Sequence, residues 1–310
     1  MKVELKPVLS RNRQSRLLYY AIFVAAVIIL TTCYIVPAYM ARLTIARLEK
    51  IGCKPEWEFI SKPQDMHVVS VVVSQDTLAE TLKIIERSRL PFNFVAKGDY
   101  VLPHKIHLPK NVPFCSFYDV HIPDGSKVVA DGLVAFRAFE CTIGKDVIFD
   151  FTGSRNLRGV EIDGNKGEQR FVLHCRCPLI YLIMENYHEL ALTGIPTSKD
   201  LVQLVLKGYR GNPAELNRLL LGGKNGIAQS VICLDNCNAN AQTIEIISST
   251  RIPSRYVSFI NLDLPRSAYE SLRNSQGIDV LDLENVQVSE ELIAALRNQG
   301  INVTVRNLRE

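Results

Sequence analysis

The sequence predicts a mixed α/β chain: an N-terminal transmembrane helix, then an irregular solenoid with a strand-rich middle section. Three observations carry this reading. Residues 203–220, 231–247, 256–272 and 280–296 each open on alternating apolar residues and close on an apolar run of helical spacing. The alternating pairs are Leu204/Leu206, Ile232/Leu234, Val257/Phe259 and Leu281/Leu283. They recur roughly every 24 to 28 residues, a period that marks stacked supersecondary units and not a single core around a cleft. Second, residues 17–40 carry no charged side chain. Third, the stretch between these regions holds short alternating runs separated by Pro, Gly, Asp and Asn.

Residues 1–16 form a basic tail with Lys2, Lys6, Arg11, Arg13 and Arg16. Residues 17–40 would span roughly 36 Å as a helix, more than the ~30 Å hydrocarbon core of a bilayer. Tyr19, Tyr20, Tyr34 and Tyr39 sit near the ends of the run, where amphipathic rings favour the headgroup level. Pro37 is placed near the far end, where it disturbs few helical hydrogen bonds. The run is too long for a signal-peptide core and no small-x-small cleavage site follows, so an uncleaved anchor is expected. Arg42, Arg47, Lys50 and Lys54 follow the span. The positive-inside bias is therefore slight and favours a cytoplasmic N-terminus only weakly.

Residues 41–65 form a juxtamembrane connector. Leu43, Ala46, Leu48 and Ile51 share one helical face and Gly52 is a stop. Two readings stand, a short connector and a stalk or dimerising helix, with the connector favoured. Residues 66–200 form the strand-rich region. It opens with a Val-rich strand at 66–74, then a helix with Asp76 or Thr77 as N-cap and Glu80 placed for a capping box. Leu78, Leu82 and Ile85 mark that helix. Short strands follow at 105–108, 116–122, 136–143, 147–151 and 159–162, with the segments around Phe117 and Phe139 sharing one outline. These are strand-only coils of the same stack, a β-solenoid segment, or a separate small β domain. Residues 173–193 hold two strand-like runs. Residues 201–310 hold the strand–helix units, and 301–305 reads as a closing strand.

With 47% apolar and 22% charged residues, the 310-residue chain is an ordered one. A net charge of +4 argues against a dedicated nucleic-acid binder.

The four C-terminal units resemble degenerate leucine-rich repeats, L-x-x-L-x-L-x-x-[N/C]-x-L. Leu201, Leu204, Leu206, Tyr209 and Gly211 occupy those places in the first, and Gln229, Ile232, Leu234, Cys237 and Ala239 in the second. Ser254, Val257, Phe259, Leu262 and Leu264 follow, then Ile278, Leu281, Leu283, Val286 and Val288. Cys237 alone matches the Asn/Cys place, so the family's asparagine ladder is lost. The layout of basic tail, membrane helix, the segment at 46–52 and repeats resembles bacterial membrane-anchored leucine-rich-repeat proteins. The resemblance implies a protein-interaction role.

Gln203, Val205, Lys207, Val231, Cys233, Asp235, Tyr256, Ser258, Ile260, Val280, Asp282 and Glu284 would form the face opposite the core. Asn236, Asn261 and Asn285 run beside it. A Tyr among adaptable amides and acids suits a protein interface, whereas Asn after each strand also suits a turn. The candidate contacts are Tyr256, Ser258, Asn261, Asp282, Glu284, Asn285 and Asn236.

No Walker A, G-x-G-x-x-G after a strand, H-E-x-x-H or G-x-S-x-G is present, and the glycines at 222–226 follow a helix and read as its stop. No catalysis, cofactor or metal is expected. Cys175, Cys177, Cys233 and Cys237 supply an alternative, a metal or thiol-redox module, against the simpler reading of buried core cysteines. His104 and His107 are flanked by Pro103 and Pro109, which argues against a chelating helix. A spacer or oligomer scaffold is the third reading.

Overall fold

The computed structural model describes residues 9–60, 66–164, 169–177, 179–185, 187–193, 202–221, 231–249 and 255–306. Leu201, Gln229, Ser254 and the glycine-rich 222–226 segment lie outside them.

The chain opens with α1 (Leu9–Leu30), a π-helical turn (Thr31–Ile35) and α2 (Val36–Lys50) in one continuous helix. Tyr19–Lys50 is long and apolar enough to cross a membrane, with a mean hydropathy of 2.4, and none of its apolar window is buried in the protein. Pro37 lies near the far end of the uncharged run, but the helix itself continues to Lys50, so the ring sits within it. The π turn accommodates it. Pro37 lacks an N–H and its ring crowds the carbonyl of the preceding turn, and widening that turn gives room. Val36 N–H accordingly donates to Thr31 O, five residues back. Thr32 Oγ1 donates to Ile28 O at 2.7 Å, satisfying its own hydroxyl within the helix.

The far end of α2 is docked against the rest of the chain. Thr44 and Leu48 are buried, and Leu48 joins the main core. The buried stripe is therefore i, i+4 through Thr44 and Leu48; Ala46, expected on that face, is exposed. Gly52, at φ 90°, ends the helix, with Cys53 N–H bonded back to Leu48 O at 3.0 Å.

β1 (Pro55–Ile60) and β2 (Met66–Val73) follow, then α3 (Leu78–Glu86) and β3 (Phe92–Lys97). The expected capping box is absent. The helical turn already begins at Ser74, whose N–H is bonded by Thr77 Oγ1 at 3.0 Å, and Glu80 pairs with Lys83 instead. Next come β4 (Lys105–Leu108), β5 (Phe114–Tyr118), β6 (His121–Ile122), β7 (Lys127–Ala130), β8 (Ala135–Phe139) and β9 (Thr142–Ile143). β10 (Val147–Asp150), β11 (Gly159–Asp163), β12 (Gln169–His174), β13 (Tyr181–Glu185) and β14 (Tyr187–Thr193) complete this region. From β15 (Gln203–Lys207) helices return: α4 (Pro213–Leu221), β16 (Val231–Asp235), α5 (Ala241–Ser249) and β17 (Arg255–Ile260). The chain closes with α6 (Ser267–Arg273), β18 (Ile278–Glu284), α7 (Glu290–Asn298) and β19 (Asn302–Arg306).

A 12-stranded sheet runs β1-β2-β3-β5-β8-β11-β13-β15-β16-β17-β18-β19. Only β1–β2 is antiparallel; every later neighbour is parallel. A second, 5-stranded parallel sheet runs β14-β12-β10-β7-β4, and β6 pairs with β9. Of the short middle strands, β5, β8, β11 and β13 share the large sheet with the C-terminal ones. Met184 pairs with Leu206 across the junction.

Where helices are absent, aromatic rings fill the space between the sheets. Phe117 and Phe136 of the large sheet meet edge to face at 5.4 Å. Phe136 meets Phe149 at 5.3 Å, and Phe149 meets Phe171 at 5.6 Å on the second sheet. All four are fully buried. Each contributes roughly 1.5–3 kcal/mol of burial, plus about 0.5–1.5 kcal/mol per favourable ring pair.

One backbone feature ends strand after strand in the large sheet. Gly98, Asp119, Glu140, Gly164, Gly208, Asn236, Asn261 and Asn285 each follow a strand and each has positive φ. Apart from Gly164, whose N–H meets the carboxylates of Asp163 and Glu185, their N–H groups extend the ladder by one residue. Asp119 donates to Phe139 O at 3.1 Å, Asn236 to Ile260 O at 2.8 Å and Asn261 to Glu284 O at 2.8 Å. The next side chain then turns inward: Val120, Cys141, Tyr209, Cys237, Leu262 and Val286 are all buried. Positive φ places Cβ against the following carbonyl, a strain that Gly avoids and that Asn and Asp tolerate best. The recurrence of asparagine is thereby explained by the turn.

A β-branched residue should not be accepted there. Asn285→Val is expected to lose about 1–2 kcal/mol from backbone strain alone, a fall in Tm of several degrees, while Asn285→Gly loses only the amide hydrogen bond. Thermal unfolding of the detergent-solubilised chain measures both; equal Tm values for the two variants would contradict the backbone account.

Candidate partner-binding face

Alternation along each strand buries one set of side chains and leaves the other on the outer face of the large sheet. Leu204, Leu206, Ile232, Leu234, Val257, Phe259, Leu281 and Leu283 point into the core. Their neighbours form outer rows through strand register. One row runs Val205, Cys233, Ser258, Asp282 and Thr304, and the next Lys207, Asp235, Ile260, Glu284 and Arg306.

Tyr256, Ser258, Asp282 and Glu284 come together with Ile260, Thr304 and Arg306 around a shallow cavity of about 120 Å³. The Tyr256 hydroxyl donates to Asp282 Oδ2 from the adjacent strand. That bond, followed by partial burial, pushes the phenol up to about 12, because removing its proton would set two anions side by side. Arg306 lies 3.9 Å from Glu284. Tyr256 keeps 36% of its surface exposed, whereas Ser258 keeps 5% and lies at the floor. Ser258 therefore supports the cavity more than it presents to solvent.

The asparagines do not join this cavity. Asn285 Nδ2 donates to Asn261 Oδ1, and Asn261 Nδ2 to Asp235 Oδ1, both at 2.9 Å. Asn236 Oδ1 accepts from Arg210 Nη2 at 2.7 Å. An amide ladder thus exists one residue before the place the sequence pattern assigns to it. Its groups are partly occupied, so a partner would have to compete for them.

Two features went unread in the sequence. Thr304 and Arg306 complete the cavity from β19, a strand read only as a closure. The second is a patch in the middle of the sheet: Tyr118, Arg137, Phe139, Glu161 and Tyr181. Arg137 Nε lies 2.6 Å from Glu161 Oε2, and Tyr118 packs edge to face on Phe139 at 6.4 Å. Burial works against the Arg137 charge, but Glu161, Tyr181 and Tyr118 outweigh it and raise its pKa. The Tyr181 ring lies over Gly159, where an added Cβ would sit 1.8 Å from the ring. The shared outline around Phe117 and Phe139 was the available signal; strand register alone shows that these residues share a face with Tyr256.

The cysteine alternative finds its residues apart. Cys175 and Cys177 follow β12 and are buried, with Cys177 Sγ bonded to Ser154 O at 2.8 Å. Cys233 lies on the outer face and Cys237 in the core, its Sγ 3.3 Å from Leu206 O. Burial pushes the Cys175 thiol up to about 11 and Cys237 to about 12, away from the reactive thiolate. Among the described residues, no group of three or more His, Cys, Asp or Glu is placed to hold a metal. His107 lies in β4 and meets Asp131 at 3.2 Å.

No family model matches the chain, and neither curated proteins nor solved structures give a significant match.

Two outcomes test the face. The folded-state pKa of Tyr256 is raised, so its bond to Asp282 contributes fully below about pH 10 and is lost as pH climbs through about 12. Asp282→Asn should return the phenol toward 10, read by NMR titration of ring-labelled tyrosine; an unmoved Tyr256 resonance would disprove the pairing. Gly159→Ala should expel the Tyr181 ring and cost about 1–3 kcal/mol through overpacking. Tyr181 hydroxyl and ring chemical shifts and the Tm report both effects, and an unchanged pair of readings would contradict the stacking.

Proposed function

We propose that this chain is a membrane-anchored, single-pass protein-interaction module. It carries a degenerate leucine-rich-repeat solenoid whose outer sheet face binds a protein partner without catalysis. The cavity bounded by Tyr256, Asp282, Glu284 and Arg306 carries this reading. It joins a partly exposed aromatic ring on β17 to charged groups on the two neighbouring strands, β18 and β19. Such a combination of a rigid aromatic anchor with a charged rim is what protein interfaces concentrate. The Tyr118–Arg137–Tyr181 patch extends the same face and adds the other residue types that dominate binding energy. The parallel strands in sequence order, alternating with helices from β15 onward, support the repeat reading. The uncovered apolar helix supports the anchor; the slight excess of Lys and Arg before the span favours an N-terminus in the cytoplasm, which would put the sheet outside.

Affinity capture with the double variant Tyr256→Ala/Asp282→Ala should recover at least about tenfold less partner than wild type, consistent with loss of a hot spot of 1.4 kcal/mol or more. A control at Glu290 and Glu291, exposed on α7, should recover as much as wild type. Equal recovery by a folded face variant refutes the face; capture of nothing specific by wild type favours a spacer or scaffold. Topology is read separately. A protease added to intact cells stripped of their outer layer should remove a C-terminal tag, and protection until lysis would place the sheet in the cytoplasm.

A further inference from the structure

The chain contains a single tryptophan, Trp57, and it sits on β1 with 56% of its surface exposed. β1 is the edge of the large sheet and, among the described residues, pairs only with β2. Trp57 leaves more than half of a large apolar ring uncovered on an edge strand, so the environment of that part is sought outside the protein. Three observations define where it points. First, α2 does not swing freely: Thr44 and Leu48 are buried, and the helix packs against α3 and β1. Second, α2 and β1 are joined by a tight reversal. Gly52 lies beside Ser74 and Thr77 at the end of β2, and Cys53 Sγ lies 3.3 Å from Thr81 Oγ1. Pro55 pairs with Val71 and Ile60 with Met66, so β1 runs back from the end that α2 has reached. Third, Trp57 stands opposite Val69, a core residue, and opposed residues of an antiparallel pair share a face. Trp57 therefore projects on the helix side of the sheet.

The lengths then match. From Arg42, the first charge after the apolar run, to Gly52 the helix climbs about 15 Å. From Gly52, beside Ser74, to Trp57, opposite Val69, the extended chain returns about 16 Å. Trp57 is brought back level with Arg42, where the apolar surface of the helix ends. We propose that Trp57 is a second membrane contact: its indole lies at the headgroup level of the bilayer, and with the docked α2 it fixes how the sheet stands on the membrane. Indole favours this level because its apolar ring and N–H donor are both accommodated there. The proposal rests on the membrane reading of α1 and α2.

The full chain in lipid nanodiscs bounded by a tryptophan-free scaffold tests both, since all indole emission then arises from Trp57. Lipids brominated near the glycerol end of the acyl chain should quench the emission by at least about twofold, and lipids brominated near the methyl end should quench it less. Quenching that is stronger from the methyl end, or absent while the protein co-elutes with the discs, overturns the headgroup assignment and leaves the membrane helix intact. Failure to enter the discs at all overturns the membrane reading and this inference with it.

Discussion

A parallel ladder that is extended by one residue in the left-handed region is the interaction on which the rest of the large sheet depends. The N–H of that residue reaches the last carbonyl of the next strand, as in Asn236 to Ile260 and Asn261 to Glu284. The backbone then leaves the sheet plane, and the following side chain turns into the core. Two consequences follow from one dihedral. Each strand stays in register with its neighbour, because the turn is hydrogen-bonded to it. The chain also departs on the same side every time, so what comes next, helix or short strand, covers the same face. The second sheet and the helices are interchangeable ways of burying that face. In the middle, Phe149 and Phe171 do it; near the C-terminus, Ile244, Leu272 and Leu292 do.

The other face is left open by the same device. Its composition changes along the sheet, from Tyr118, Arg137 and Tyr181 to Tyr256, Asp282 and Arg306. Its exposed charges and rings are not needed by the core, which suits the partner binding proposed for this face. The charged groups are largely paired across strands, as in Arg137–Glu161, Lys207–Asp163 and Arg306–Glu284. Exposed pairs of this kind contribute only about 0–1 kcal/mol each to stability. They nonetheless hold side chains in defined places, which lowers the ordering cost of any proposed binding.

At the N-terminal end, the constraint is the docking of α2. Leu48 and Thr44 tie a helix of membrane-spanning character directly into the core of the sheet. A flexible linker would let the sheet tumble; a docked helix fixes one orientation. The π turn at Thr31–Ile35 keeps that helix continuous across Pro37, so the rigidity extends through the apolar stretch.

The sequence by itself determined many of the elements, though not β1, β3 or β7. Alternation at Leu204/Leu206 and its successors, helical spacing after each pair, and an uncharged run at 17–40 are local patterns, and local patterns report on strand, helix and apolar length. The outward set on the last strands was legible for the same reason, since a strand's two faces alternate with a period of two. Tertiary structure decided the rest. Whether asparagine serves a turn or a partner depends on φ, which no residue type specifies alone. Whether Thr304 and Arg306 join Tyr256, and whether Arg137 shares its face, depends on register between strands distant in sequence. Whether Leu48 ends a connector or enters the core depends on what lies beside it. Each of these is a relation between segments, and a one-dimensional pattern contains the segments without the contacts that relate them.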